Sequence, residues 1–179
     1  MTTPEQIIAA YKTMVGKRIS KGFEPSMLTI MFKELNGSQE AQKHQMYREV
    51  ARVYAYLLTR FHKYPGKMPM TEMPLLIGCA DWPVYKTGAA KRPSRSEFSA
   101  NDGMHFGSMF LLPPRTRTPM NLGDMIERER PTLLRRGPIT SLHVERVADT
   151  PEKATGYVLK SLERQRITLD EVLVLPEVR

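Results

Sequence analysis

The sequence lacks most of the features that announce a function outright. It has one cysteine, Cys79, in 179 residues. That excludes a disulfide framework and a cysteine-based zinc site, and a lone thiol fits a reducing cytoplasm. No run approaches the ~20 apolar residues of a membrane span, and Met1-Thr2-Thr3-Pro4-Glu5 has no basic-then-apolar signal pattern. A membrane partner is not expected. The phosphate-cradling pattern Gly-x-x-x-x-Gly-Lys-Ser/Thr is missing, which argues against an NTP motor. There is no internal repeat and no low-complexity tract. Negative charge is in short supply: 19 Asp and Glu stand against 27 Lys and Arg, a net charge of +8. That balance favours a polyanionic partner, with nucleic acid first. The basic residues are spread along the chain, so they give a tendency and not a footprint.

What is present suffices for one packed domain over residues 1 to 179, since 41% of the residues are hydrophobic. Residues 4 to 15 predict an opening helix that ends at Gly16 and Lys17. Residues 1 to 25 then read as an N-terminal helical extension. Ser26 to Leu35 predicts a strand, with Leu28, Ile30 and Phe32 alternating against Thr29, Met31 and Lys33. Residues 38 to 63 carry the strongest helical period, Met46, Val50, Val53, Leu57 and Phe61, with Ser38 as N-cap and Pro65-Gly66 as stop. His44 and His62 read as solvated helix residues.

Leu75 to Trp82 is a second strand, on which Ile77, Cys79 and Asp81 share a face. Residues 83 to 103 are polar and basic and read as a mobile loop, a candidate phosphate-contacting arm. Met104 to Leu112 is a third strand. Asn121 caps a helix over 121 to 130, which Pro131 interrupts or restarts. Ile139 to Val147 is a fourth strand, and the apolar run from Val172 to Leu175 predicts a docked tail within residues 166 to 179.

The last helix opens with Thr150 as a cap and Pro151 at its first position. Ala154, Val158, Leu159 and Leu162 face a core, while Lys153, Tyr157, Lys160 and Arg164 form the opposite, basic side. A hydroxyl among cations has its phenolate favoured and sits where a phosphate could dock.

The order of elements predicts an α+β, ferredoxin-like (split βαβ) antiparallel sheet with helices on one face. The open face would carry Thr29, Met31, Lys33, Cys79, Asp81, His105, Gly107, His143 and Glu145. Imidazole and carboxylate there suit a divalent cation, Mg²⁺ or Mn²⁺.

Three stretches carry a resemblance: Met27-Leu28-Thr29-Ile30-Met31-Phe32, Asp102-Gly103-Met104-His105-Phe106-Gly107-Ser108, and Gly156-Tyr157-Val158-Leu159-Lys160. Over roughly residues 26 to 165 the chain resembles the nicking domain of the HUH endonucleases, found in rolling-circle replication initiators, relaxases and single-tyrosine transposases. The resemblance implies this fold, a His-hydrophobic-His strand that binds a metal, and a later helix bearing a nucleophilic tyrosine. It thereby implies DNA replication in a plasmid, phage or other mobile genetic element, with single-stranded or hairpin DNA as substrate. A host helicase is a candidate partner, and the cytoplasm the compartment.

Carried over residue by residue, Tyr157 would attack a phosphodiester, leaving a 5′-phosphotyrosine and a free 3′-hydroxyl. Lys160 would stabilise developing charge or lower the phenol's pKa, and His105 would bind the metal. Lys33, Lys91, Arg92, Arg95, Arg115, Arg117, Lys153 and Arg164 are the candidate nucleic-acid contacts.

One position departs from the pattern: where a second histidine is expected, the chain has Gly107. Asp81, His143 or Glu145 could be recruited in its place, water could substitute, or cleavage could be lost and DNA binding kept. The alternatives are therefore a catalytically silent relative that binds nucleic acid or a protein partner, and an unrelated ferredoxin-like RNA-binding domain. The last needs aromatics on the open face, whereas the alternation turns Phe32, Phe106 and Phe110 towards the helices.

Overall fold

Alternating apolar residues in four strands need cover on at least one side, and two long apolar-striped helices supply it. The computed structural model describes residues 3–82, 100–135 and 137–177. Its strands are β1 (Glu24–Phe32), β2 (Leu75–Asp81), β3 (His105–Leu112), β4 (Ile139–Arg146) and β5 (Leu173–Leu175). Its helices are α1 (Pro4–Ile19), α2 (Gln39–Phe61), α3 (Leu122–Leu134), α4 (Pro151–Val158) and α5 (Lys160–Glu163). The strands form one five-stranded sheet in the order β4-β1-β3-β2-β5, every pair antiparallel. The first four strands, with α2 and α3 as crossovers, have the split βαβ arrangement, so the α+β, ferredoxin-like expectation holds. The apolar tail adds β5 to the edge of β2, pairing Ile77 with Val174.

The first face is closed by α2 and α3. Met46, Val50, Val53, Leu57 and Phe61 of α2 meet Leu28, Ile30, Phe106 and Phe110 from the strands. Ser38 caps α2 by accepting from Ala41 N, and Asn121 caps α3 by accepting from Asp124 N. Pro131 lies inside α3 without ending it.

The second face differs from the expectation of an open sheet. β2 is buried along its whole length, and Ile77, Cys79, Met109 and Leu111 present apolar surface on that side. Such a surface requires cover. Ile8 and Val15 of α1, with Val158, Leu159 and Leu162 from α4 and α5, provide it. The face stays open beside α4, over β1, the start of β3 and β4, where His143 and Glu145 are exposed.

Smaller differences have local causes. α1 runs through Gly16 to Ile19, because a single glycine lowers helix propensity without breaking a packed helix. The helix predicted after Thr150 is two: Leu159, at φ −95° and ψ 14°, separates α4 from α5, and Thr150 makes no side-chain cap. His62 is not solvated. It is 7% exposed at the end of α2, with Nε2 buried and unpartnered. Among the described residues, no helix is long and apolar enough to cross a membrane.

Candidate functional site

The site begins at the entry to β3. Asn101, Asp102 and Gly103 all adopt positive φ, at 56°, 52° and 76°. These are the residue types that tolerate the left-handed region. Asn101 is buried, accepts from Leu35 N at 2.8 Å and donates to Lys33 O at 3.0 Å. It thereby ties the start of β3 to the end of β1. His105 opens the strand, and its Nδ1 lies 3.1 Å from Gly103 O. A carbonyl only accepts, so this contact places the proton on Nδ1 and leaves Nε2 facing inward.

Asp81 pairs with His105 across the β2–β3 ladder. It ends β2 and is 4% exposed. A carboxylate this deep needs partners, and it has them. Lys160 Nζ lies 2.6 Å from Oδ2, and Ser161 Oγ donates to Oδ1 at 2.7 Å. His105 Nε2 faces Oδ2 at 3.6 Å, beyond ordinary hydrogen-bond length.

The break at Leu159 allows this arrangement, because a continuous helix keeps Lys160 on the exposed side with Lys153 and Arg164. Lys160 is instead 8% exposed, while Tyr157 is 60% exposed. The expected basic stripe of Lys153, Tyr157, Lys160 and Arg164 is therefore only partly formed. The two residues still meet, since Lys160 Nζ sits 4.0 Å from the Tyr157 ring centroid, within cation–π reach.

Met27, Thr29, Asp81, His105, Gly107, Ser108, Tyr157 and Val158 line one cleft of about 190 Å³. Gly107 lies between Thr29 and Cys79 in the ladder. A Cβ built on it would meet nothing within 4 Å, so packing does not impose glycine there. Gly156 has a different reason to be small: a Cβ would stand 3.3 Å from Nζ of Lys12, which crosses α4 beside Tyr157.

Of the four candidate metal ligands, Asp81 and His105 come together. His143 and Glu145 are exposed on β4, with β1 between them and β3. Among the described residues, no three His, Cys, Asp or Glu side chains gather so as to hold a metal ion. Mg²⁺ and Mn²⁺ favour several oxygen ligands in octahedral array. The one carboxylate at hand is already paired with an ammonium and a hydroxyl, so these residues do not by themselves make a divalent site. Cys79 is a packing residue. Its Sγ donates to Val158 O at 3.3 Å, and burial, with Asp81 nearby, pushes the thiol up to about 12.

The candidate DNA contacts fall into separate places. Lys153 and Arg164 are exposed on the elements that flank Tyr157, and Lys33 is exposed at the end of the sheet where β3 begins. Arg115 and Arg117 are exposed past the other end of β3. Lys91, Arg92 and Arg95, with most of the predicted basic arm, lie outside the described residues.

Sequence reasoning passed over Ser161, Asn101 and Lys12. Ser161 lies four residues after Tyr157, a spacing that puts it on the tyrosine's side of a helix. Asn101 offered only its place before Asp102-Gly103, and Lys12 offered no signal. Comparison with protein-family models, with curated proteins and with solved structures gives no match.

Proposed function

We propose that this chain is a DNA-nicking domain of HUH type that breaks single-stranded or hairpin DNA through Tyr157 and rejoins it. One observation carries the reading: Tyr157 of α4 shares a cleft with His105 of β3 and Asp81 of β2, and Lys160 of α5 is held behind it against Asp81 and the Tyr157 ring. The step is a transesterification. A bond forms between the Tyr157 oxygen and phosphorus, and the bond from phosphorus to the 3′-oxygen breaks. The phenol proton goes to solvent, to which the exposed ring has access, and the departing 3′-oxygen takes one up. The 5′-phosphotyrosine keeps the phosphodiester's energy for rejoining.

Lys12, Lys153 and Arg164 would bring the strand to the tyrosine through its phosphates. The setting is the cytoplasm, where the lone thiol of Cys79 stays reduced. Replication of a plasmid, phage or transposon is the use such a nick serves, with a host helicase as the further partner.

The test is incubation with single-stranded and hairpin DNA pools and Mn²⁺, followed by a denaturing gel. A covalent adduct is expected with the wild type and none with Tyr157→Phe. An adduct that survives Tyr157→Phe rules out this nucleophile.

A second reading has its own observation. Gly107 and the partnered Asp81 leave His105 without a third donor, which favours a silent relative that binds DNA and does not cut it. That form would give salt-sensitive binding and no adduct. The reading as an RNA-binding sheet has less support, because Phe32, Phe106 and Phe110 are buried under α2 and α3.

A further inference from the structure

The catalytic reading expects a divalent ion, and the side chains beside Tyr157 do not assemble its ligands. We infer that the Lys160 ammonium is the built-in cation of this site, held in place by Asp81 and Ser161, and that phosphodiester binding and transfer at Tyr157 need no divalent metal. The inference rests on the nicking reading above and concerns what neutralises the phosphate.

Three observations bear on it. The first is charge. Asp81 and Lys160 together sum to zero, with Nζ at 2.6 Å from Oδ2. A dication brought to the same carboxylate would lie next to a fixed ammonium, and no other acid compensates among the described residues. The second is position. Ser161 holds Oδ1 at 2.7 Å, so the carboxylate cannot turn away from the lysine without losing a buried hydrogen bond. Lys160 has three N–H donors. One is directed to Asp81 and one faces the Tyr157 ring, 4.0 Å from its centroid. The third remains for a non-bridging phosphate oxygen of a strand held at Tyr157. The third observation is Gly107. Its place in the cleft could hold a side chain, since a Cβ meets nothing within 4 Å. A second imidazole is therefore not excluded by crowding, and the site as built leaves that room to the phosphate.

The role differs from that of a metal in one respect. Lys160 donates a hydrogen bond and a charge to the phosphate oxygens throughout and is not consumed. The bonds made and broken are those of the transesterification already given. His105 stays tethered to Gly103 O through Nδ1 and carries no ion.

Two measurements on the full chain test this. The first is Mn²⁺ titration followed by electron paramagnetic resonance, which needs no turnover. The wild type is expected to leave the free Mn²⁺ signal unchanged, and the double variant Gly107→His with Lys160→Ala is expected to bind Mn²⁺ at one site. The second is the DNA adduct assay run in EDTA and in Mn²⁺. The wild type is expected to form the same adduct in both. Lys160→Ala is expected to lose about 10²-fold of the rate, the scale for removing one transition-state donor, and Lys160→Arg to retain part of it.

Lys160→Ala strands a buried carboxylate, so the paired variant Asp81→Asn with Lys160→Met is included. It should recover most of the stability that Lys160→Ala loses and still lose the adduct. Saturable Mn²⁺ binding that disappears in His105→Ala, with adduct only in Mn²⁺, overturns the inference and leaves the nicking reading intact. No adduct in either buffer defeats the nicking reading, and this inference falls with it.

Discussion

The two faces of the sheet are closed by different means. Under α2 and α3 the packed cluster is apolar but for the phenol of Tyr54, which donates its hydroxyl to Pro74 O at 2.8 Å, and His62 lies buried at its rim. Under α1, α4 and α5 the same burial takes in Asp81, Lys160 and Ser161. Apolar packing is tolerant of detail and gains in proportion to area. A buried ion pair contributes little net stability, yet it is costly to leave half made. The first face therefore holds the fold, and the second constrains where one ammonium and one carboxylate can be. The cleft shared by Tyr157 and His105 opens on the second face.

The largest expected effect tests the first face. Phe106 is fully buried and meets the Tyr47 ring edge-on, centroids 5.5 Å apart. Phe106→Ala should cost about 4 kcal/mol in chemical denaturation, as a large cavity does. Lys160→Ala tests the second face and should cost about 3 kcal/mol, because Asp81 is then buried without its partner. The paired replacement Asp81→Asn with Lys160→Met should recover most of that loss. No comparable rescue exists for Phe106→Ala. If the paired variant is as unstable as the single one, the second face is also held by shape, and the contrast between the faces fails.

Two glycines on neighbouring strands sharpen the comparison further. A Cβ at Gly78 would stand 2.4 Å from Gly107 O and 2.5 Å from Ser108 Cβ. Gly78→Ala should therefore cost about 2 kcal/mol through overpacking. Gly107→Ala, with nothing within reach, should change stability by less than about 0.5 kcal/mol. Thermal melts of the two variants side by side read the difference directly. Equal losses would mean that the cleft floor is packed after all.

Much of this was legible in the sequence. The period of Met46, Val50, Val53, Leu57 and Phe61 gave α2, and alternation gave the first four strands with Phe106 and Phe110 turned inward. Asp81 and His105 were legible as polar residues at strand ends and Tyr157 as the tyrosine on the basic side of the last helix, and all three line one cleft. The second face was misjudged because Ile77, Cys79, Met109 and Leu111 can be covered only by helices distant in sequence. Local pattern does not record that. Lys160 was read as exposed because helical spacing assumes a straight helix, and Leu159 breaks it. No residue type marks that break, since Leu159 is a good helix former whose turn is set by packing against the sheet. Ser161 had the spacing to be found, four residues after Tyr157, but nothing local in the sequence ties a serine to Asp81, 80 positions away.

The smallest expected effect concerns a flaw at the rim of the apolar face. His62 follows Phe61 at the end of α2, and its buried Nε2 has no partner. Burial holds its pKa below the ordinary value of 6.5. In the unfolded chain the imidazole regains that ordinary value, so between the two pKa values the unfolded state binds more protons. Stability must then be flat with respect to this group above about pH 6.5 and decline as pH falls through that value towards the depressed one. His62→Gln removes the titration and should flatten this part of the curve. Denaturation midpoints from pH 8 down to 5 for both proteins give the difference attributable to His62, because every other group is common to them. Parallel curves would show that His62 gains a proton as readily folded as unfolded, and the apolar face would then have no titrating weak point at this rim.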